Sequence, residues 1–250
     1  MSRAGWLRLL FVVAVIALLE AASRLAWIDP VSFIPPSAMA ASAWNILRSG
    51  EYTHDMLLTL QAAGMAVLMS AVAGVAFGTF LYLLPRVRRV LDPLLLSYYA
   101  VPIFVLYPML IVLLGLNRWP LVAIGFLFSV VAMAVNTLNG LERIPHALMR
   151  TALALRMSFF ARARRIMLPA CLPYLFTGLK LAVVYAFIAV IAGEFVLSGA
   201  GFGYRIAFAY NNFDNPAMYG LMLILLLFVG GLNMCLHMAE HRLYRKRGMA

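Results

Sequence analysis

The sequence predicts an all-α polytopic membrane protein with about six transmembrane helices and a cytoplasmic helical element between the fourth and fifth. Three observations carry this. Of the 250 residues 65% are hydrophobic and only 12% charged, where soluble domains hold roughly 25% charged residues. Apolar runs of about 20 residues, long enough to cross a hydrocarbon core of about 30 Å, recur between Pro, Gly and charged residues. The one long interruption, "ALMRTALALRMSFFARARRIMLPACLP" from Ala147 to Pro173, is polar enough to stay in water and carries five arginines.

The spans read near residues 6–27, 57–84, 94–115, 119–140, 173–197 and 217–238. The first follows a positive start like that of a signal peptide, but its apolar run continues past Ala22, so a retained helix is expected. Within it Glu20 and Arg24 stand one turn apart, where each shields the other's charge. The second span carries Gly64, Ala71, Gly74 and Gly78, small residues that let helices approach closely. In the third, Pro102 and Pro108 remove helical hydrogen bonds, which predicts a kink or a broken helix, either as simple bending or as a pathway lining. Its aromatic residues Tyr98, Tyr99, Phe104 and Tyr107 suit a planar organic ligand. Three parts are expected: 1–56 with the first helix and an outer loop, 57–240 as the transmembrane domain, and 241–250 as a basic cytoplasmic tail.

A net charge of +11 and a pI near 10.2 would point to nucleic acid in a soluble chain, yet no nucleic-acid-binding signature is present. With both termini in the cytoplasm, fifteen of the twenty basic residues fall on that side. Arg24, Arg48, Arg118 and Arg205 fall at the outer side and Lys180 inside the fifth span, so the charge is a topology signal. Cys171 and Cys235 form no CxxC pair and read as reduced packing residues. His54, His146, His237 and His241 lack the spacing of a metal site, and no Ser, Asp and His converge for hydrolysis.

The insertion from Leu141 to Leu172 reads as a short amphipathic helix or pair, opened by Pro145 and stopped by Pro169 and Pro173. Leu148, Ala152, Leu155, Phe159 and Ile166 recur at roughly helical spacing. It either lies on anionic lipid or docks into a groove of a soluble partner, and periodicity alone leaves both open.

The segment "RRIMLPACLPYLFTGLKLA" resembles the cytoplasmic loop of ATP-binding-cassette (ABC) importer permeases. That motif reads EAA, three residues, Gly, nine residues, Ile, one residue, Leu-Pro. Counting back from Leu168 and Pro169 puts Ile166 on the Ile, Arg156 on the Gly, and Arg150, Thr151 and Ala152 on the EAA letters. Ala152, Ile166, Leu168 and Pro169 match, while Arg150 and Arg156 replace the family's Glu and Gly. "IPPSAMAASAWNILRSGEYTHDMLLTL" resembles the first outer loop of the aliphatic-sulfonate, taurine and nitrate branch. "NTLNGL", "TGLKLA" and "AGEFVLSGAGFGYRI" are similar to its later signatures, in register from about Ile34 to about Leu226.

The resemblance implies a type I permease of the inner membrane, paired with a second copy and with an ATPase dimer that carries ATP and Mg. An extracytoplasmic binding protein would deliver a small solute, an organic anion or a vitamin or pyrimidine precursor. The coupling loop would comprise Arg150, Thr151, Ala152, Leu155, Arg156, Phe159, Arg162, Arg164, Arg165, Ile166, Leu168 and Pro169. No cofactor and no catalysis are expected here, since the chain has no phosphate-binding G-x-x-x-x-G-K-[ST] loop. Besides the four aromatics, Lys180 and Glu194 are pathway or gate candidates. Lys180 could instead snorkel to the cytoplasm. Glu194 could contact solute, gate the outer mouth or pair with Arg205. "SGAGFG" reads as a tight outer turn, with room for a short re-entrant helix, rather than a dinucleotide loop. A stand-alone secondary transporter would need midplane coupling-ion groups and an internal repeat, and neither is visible. A lipid-binding scaffold is the other alternative.

Overall fold

The computed structural model describes residues 3–29 and 32–246, and every regular element among them is helical. Hydrocarbon offers backbone polar groups no water, so an apolar run pairs them within itself as helix. The elements are α1 (Arg3–Arg24), α2 (Pro36–Ser49), α3 (Thr53–Leu83), α4 (Pro85–Ser97), α5 (Tyr107–Leu114), α6 (Trp119–Glu142), α7 (His146–Ala154), α8 (Phe159–Arg162), α9 (Leu168–Leu197), α10 (Phe202–Asn211) and α11 (Asn215–Lys246). Four runs among the described residues are long and apolar enough to cross a membrane: Thr53–Leu83, Trp119–Glu142, Phe159–Val196 and Asn215–Glu240. α1, with 22 residues, is not among these four, and it joins α2 through Glu20. The Glu20 carboxylate accepts from Arg24 Nε at 2.6 Å, from Ser37 Oγ at 2.7 Å and from the Ser37 N–H at 2.9 Å.

The core is α6, sandwiched between α3 and α9. α3 presents Ala62, Ala66, Ser70, Gly74 and Gly78, all buried and each four residues from the next. A Cβ on Gly78 would sit 2.4 Å from the Ala134 carbonyl oxygen, and one on Gly74 2.6 Å from Met133 Cβ, so only glycine allows this approach. Ser70 and Ser129 hydroxyls meet at 2.5 Å across the same seam. The expected stripe is thus shifted: a Cβ on Gly64 would meet nothing within 4 Å, and Ala71 is only half-buried.

The structure answers three expectations. The span at 94–115 is broken, the second of the two outcomes its prolines predict, into α4, two 3₁₀ turns (Tyr98–Ala100 and Ile103–Leu106) and α5. Pro102 and Pro108 cannot donate backbone bonds, and Pro102 sits at φ −72°, ψ 86°, outside the helix. Second, Pro169 and Pro173 do not stop the loop helix. Phe159 to Val196 is one helical run of 38 residues, about 57 Å at 1.5 Å per residue, so it projects well beyond a hydrocarbon core of about 30 Å. Pro169 is carried in the first turn of α9, behind a π-helical turn at Ala163–Met167. That widening shifts the hydrogen-bond register where proline has no N–H to give. Third, the boundary at residue 57 falls inside α3, and the basic tail continues α11 as far as Lys246. Residues 247–250, with Arg247 of the expected basic tail, lie outside the described residues, as do Met1 and Ser2.

Candidate functional site

Two regions carry chemistry, one at each end of the bundle. At the loop end, Leu141, Ile144, Met167 and Cys171 form a small buried cluster that roots the α6–α9 connection. α7 packs against it through Met149, and Ala152 of the same helix is 1% exposed. Its C-terminus closes as a Schellman motif: the Met157 N–H donates to the Ala152 carbonyl at 3.0 Å and the Arg156 N–H to that of Leu153 at 2.9 Å. Arg156 takes the left-handed position of this motif, with φ +48°, where glycine is the usual residue. Ser158 then opens α8, its hydroxyl accepting from the Ala161 N–H.

Of the predicted loop residues, Arg150, Thr151, Leu155, Arg156, Phe159, Arg164, Arg165 and Leu168 are exposed, and Arg162, Ile166 and Pro169 are half-buried. The apolar positions Leu148, Leu155 and Phe159 point out with Leu153 and Phe160, the last 85% exposed. The element thus offers aromatic and arginine side chains together, the residue types that anchor protein interfaces.

At the opposite end, α3 and α9 hold the start of α10. Consecutive backbone N–H groups of Gly201, Phe202 and Gly203 donate to Asp55 Oδ1 (2.9 Å), Thr59 Oγ1 (2.8 Å) and Glu194 Oε2 (2.9 Å). Thr59 Oγ1 in turn donates to the Glu194 carboxylate at 2.8 Å. Glu194 and Asp55 are 1% and 3% exposed. A helix N-terminus leaves its first N–H groups unpaired and bears partial positive charge, so two carboxylates and a hydroxyl from neighbouring helices satisfy it directly.

The glycines of "SGAGFG" serve this contact. A Cβ at Gly201 would lie 2.4 Å from Glu194 Cδ, and Gly201 has φ +108°. The expected short helix after the turn is α10. The expected Glu194–Arg205 pair is not formed: Arg205 Nε reaches Asp55 Oδ2 at 2.7 Å, and Glu194 is held by Thr59 and Gly203. The Asp55 hydrogen bond holds the Arg205 guanidinium above even its ordinary range. Asp55 and Thr59 escaped the sequence reading, although a carboxylate and a hydroxyl four residues apart at the head of an apolar helix were the available signal.

The pathway candidates separate. Glu194 and Tyr107 line a cavity of about 400 Å³ with Arg118, Asn117, Leu58 and Leu121 at this end. Tyr98 is turned to the Leu127 carbonyl, its hydroxyl donating at 2.8 Å, and Phe104 packs on Phe128 at 5.6 Å between centroids. The Tyr99 side chain lies outside what is described. Lys180 is far along α9, where its ammonium meets Glu240 of α11 at 2.5 Å, so it neither snorkels alone nor lines the cavity. No group of three or more metal-ligating side chains occurs among the described residues, and Cys171 and Cys235 are unbridged.

A family model described as binding-protein-dependent transport system inner membrane component matches residues 66–248. The nitrate import permease protein NrtB of Leptolyngbya laminosa is 28% identical over 172 residues, 69% of this chain and 60% of that one. The formylaminopyrimidine transport permease protein ThiX of Halalkalibacterium halodurans is 29% identical over 177 residues, 70% of this chain and 69% of that one. The chain therefore spans well under two thirds of the nitrate relative's length. Among solved structures, a chain of the inward-facing MetNI methionine ABC transporter superposes with a TM-score of 0.66 at 18% identity, covering 78% of this chain and 94% of that one. That likeness concerns the fold.

Proposed function

The chain belongs to the family of binding-protein-dependent transport system inner membrane components, and we propose that it is the permease subunit of an ATP-driven ABC importer. Two copies would form the pathway for a small solute, delivered by an extracytoplasmic binding protein and driven by a separate ATPase pair that holds ATP and Mg. The observation that carries this reading is the exposed α7–α8 element, rooted by Ala152 and Ile144 and presenting Arg150, Arg156, Phe159 and Phe160. Such an element transmits motion as a lever only if it is stiff where it joins the spans. Here α8 runs without a gap through the π turn into α9. The bias of fifteen basic residues toward the loop end supports a cytoplasmic location for that end and for both termini. The relatives named for nitrate and formylaminopyrimidine support a small solute without choosing one.

Co-purification tests this. With the cognate ATPase co-expressed, the wild-type chain is expected to capture it in detergent. Deleting Ala152 to Arg165 is expected to abolish capture while membrane insertion persists. Reversing Arg150 and Arg156 together to Glu should also abolish it, because like charges would then face the acidic rim that the two arginines require. Solute uptake by this chain alone, without ATP, would sink the proposal.

A further inference from the structure

We propose that the apolar groove between the α1–α2 corner and the α9–α11 pair is a seat for one phospholipid, with two acyl chains and a headgroup of the phosphoethanolamine type. The walls are the first argument. Leu19, Phe33 and Met39 on one side and Ile191, Phe195 and Leu223 on the other border a volume of about 970 Å³. The one polar side chain in the lining, Tyr219, already donates its hydroxyl to the Ser32 carbonyl at 2.7 Å. A polar solute would find no partner here, while hydrocarbon loses nothing. At roughly 30 Å³ for a methylene-sized group, the share of one liquid water, the groove holds about thirty such groups, enough for two acyl chains.

Depth is the second. The groove runs from Val196 to Phe187 on α9 and from Tyr219 to Gly230 on α11, about 14 Å and about 17 Å at 1.5 Å per residue. That is half of a hydrocarbon core of about 30 Å, the depth of one leaflet. At the α10 end Phe33 meets Tyr219 edge to face at 5.5 Å, and midway along the spans Phe187 meets Phe228 at 6.0 Å, so aromatic pairs close both ends. A helix of a second copy would call for a face that continues along the full span, whereas a lipid of one leaflet ends where this groove ends. Ile188, Phe195, Met222 and Leu226, 45–70% exposed, leave it open sideways to the bilayer.

The rim supplies the headgroup contact. Glu20 and Ser37 directly follow the lining residues Leu19 and Pro36, and Arg24 bonds to both. The Arg24 side chain is 66% exposed, open to a phosphate. A carboxylate has about four acceptor sites, and Glu20 fills three, with Arg24 Nε, Ser37 Oγ and the Ser37 N–H. The fourth, on Oε2, suits an N–H of a primary ammonium. A quaternary ammonium has no N–H to give it, and an anionic headgroup without an ammonium meets the Glu20 charge uncompensated.

The test uses the full-length chain, purified and delipidated in a maltoside detergent, with native mass spectrometry counting lipids and chains. Dioleoyl phosphatidylethanolamine, phosphatidylcholine and phosphatidylglycerol are the probes. One phosphatidylethanolamine per chain is expected to saturate, with the other two at least about tenfold weaker for want of the charge-assisted hydrogen bond. Met222→Trp, which fills the groove, should weaken it about tenfold or more, whereas Val112→Trp, at an 85% exposed position of α5, should not. Glu20→Gln keeps an acceptor for Arg24 and Ser37 but loses the charge, and should bring phosphatidylethanolamine within about twofold of phosphatidylcholine. No saturable lipid, equal binding of all three, or binding indifferent to Met222→Trp would overturn the seat. A preference unchanged by Glu20→Gln would overturn the headgroup assignment. A dimer that Met222→Trp dissociates while lipid binding persists would give the groove to a second copy and refute the proposal.

Discussion

Arg156 and Gly201 both sit at positive φ, and their surroundings give opposite consequences. At Arg156 (φ +48°) the chain needs a left-handed turn to end α7, and an L side chain costs about 1 kcal/mol there. Arg156→Gly should therefore raise the melting temperature of the purified protein by about 2–4 °C, while Arg156→Ala, which keeps a Cβ, should give no such gain. Equal shifts for the two would show that the backbone is not the cause. Gly201 tolerates nothing larger. A methyl group would both meet Glu194 and occupy φ +108°, so Gly201→Ala should cost about 3 kcal/mol by strain and overpacking. Two residues away, Gly199→Ala has open space and an ordinary φ and should be neutral. Thermal melts of the pair separate a specific cradle from general loop sensitivity. The glycine pattern was visible in the sequence, but its reason was not, because the carboxylates it accommodates come from residues 7 and 146 positions away, Glu194 and Asp55.

The same contrast between spacing and contact governs the helices. Apolar run length placed α1, α3, α6, α9 and α11 in the sequence, since length and hydropathy are local quantities. Which face of α3 meets α6 is not local. The four-residue row through Gly74 and Gly78 was legible, but Gly64 and Ala71 share the same composition and lie off the seam. Gly78→Ala should push α3 from α6, with the loss of seam packing costing about 2 kcal/mol, whereas Gly64→Ala should leave the melting temperature unchanged. Equal loss in both would argue against the seam. The fifth span misled for a related reason. Proline reads as a stop in sequence, yet a π turn just before Pro169 lets the helix absorb it and stay continuous from α8 into α9.

Across the whole molecule, α11 packs through one narrow face, with Leu221 and Ile224 buried and Phe228 on Phe187, and polar contacts fasten it at both ends, while the rest of its surface is exposed and lipid-compatible. At one end Gly220 lets α2 approach so closely that a Cβ would fall 2.6 Å from Ser42 Oγ, and Ser42 donates to the Pro216 carbonyl at 2.6 Å. At the other, Lys180 of α9 meets the buried Glu240, with His237 Nδ1 at 3.7 Å from the same carboxylate. Sequence suggested a solitary lysine because its partner lies sixty residues on, beyond any helical spacing. A buried pair adds little net stability over an apolar replacement, but removing one partner strands the other charge, at about 3–5 kcal/mol. Lys180→Met alone should therefore lower the melting temperature in detergent sharply. The double variant Lys180→Met with Glu240→Leu should recover most of that loss, since two apolar side chains of similar volume then meet where the charges met. If the single and double variants melt together, the pair is not what fastens α11 to α9, and the C-terminal half of the helix must be held through packing alone.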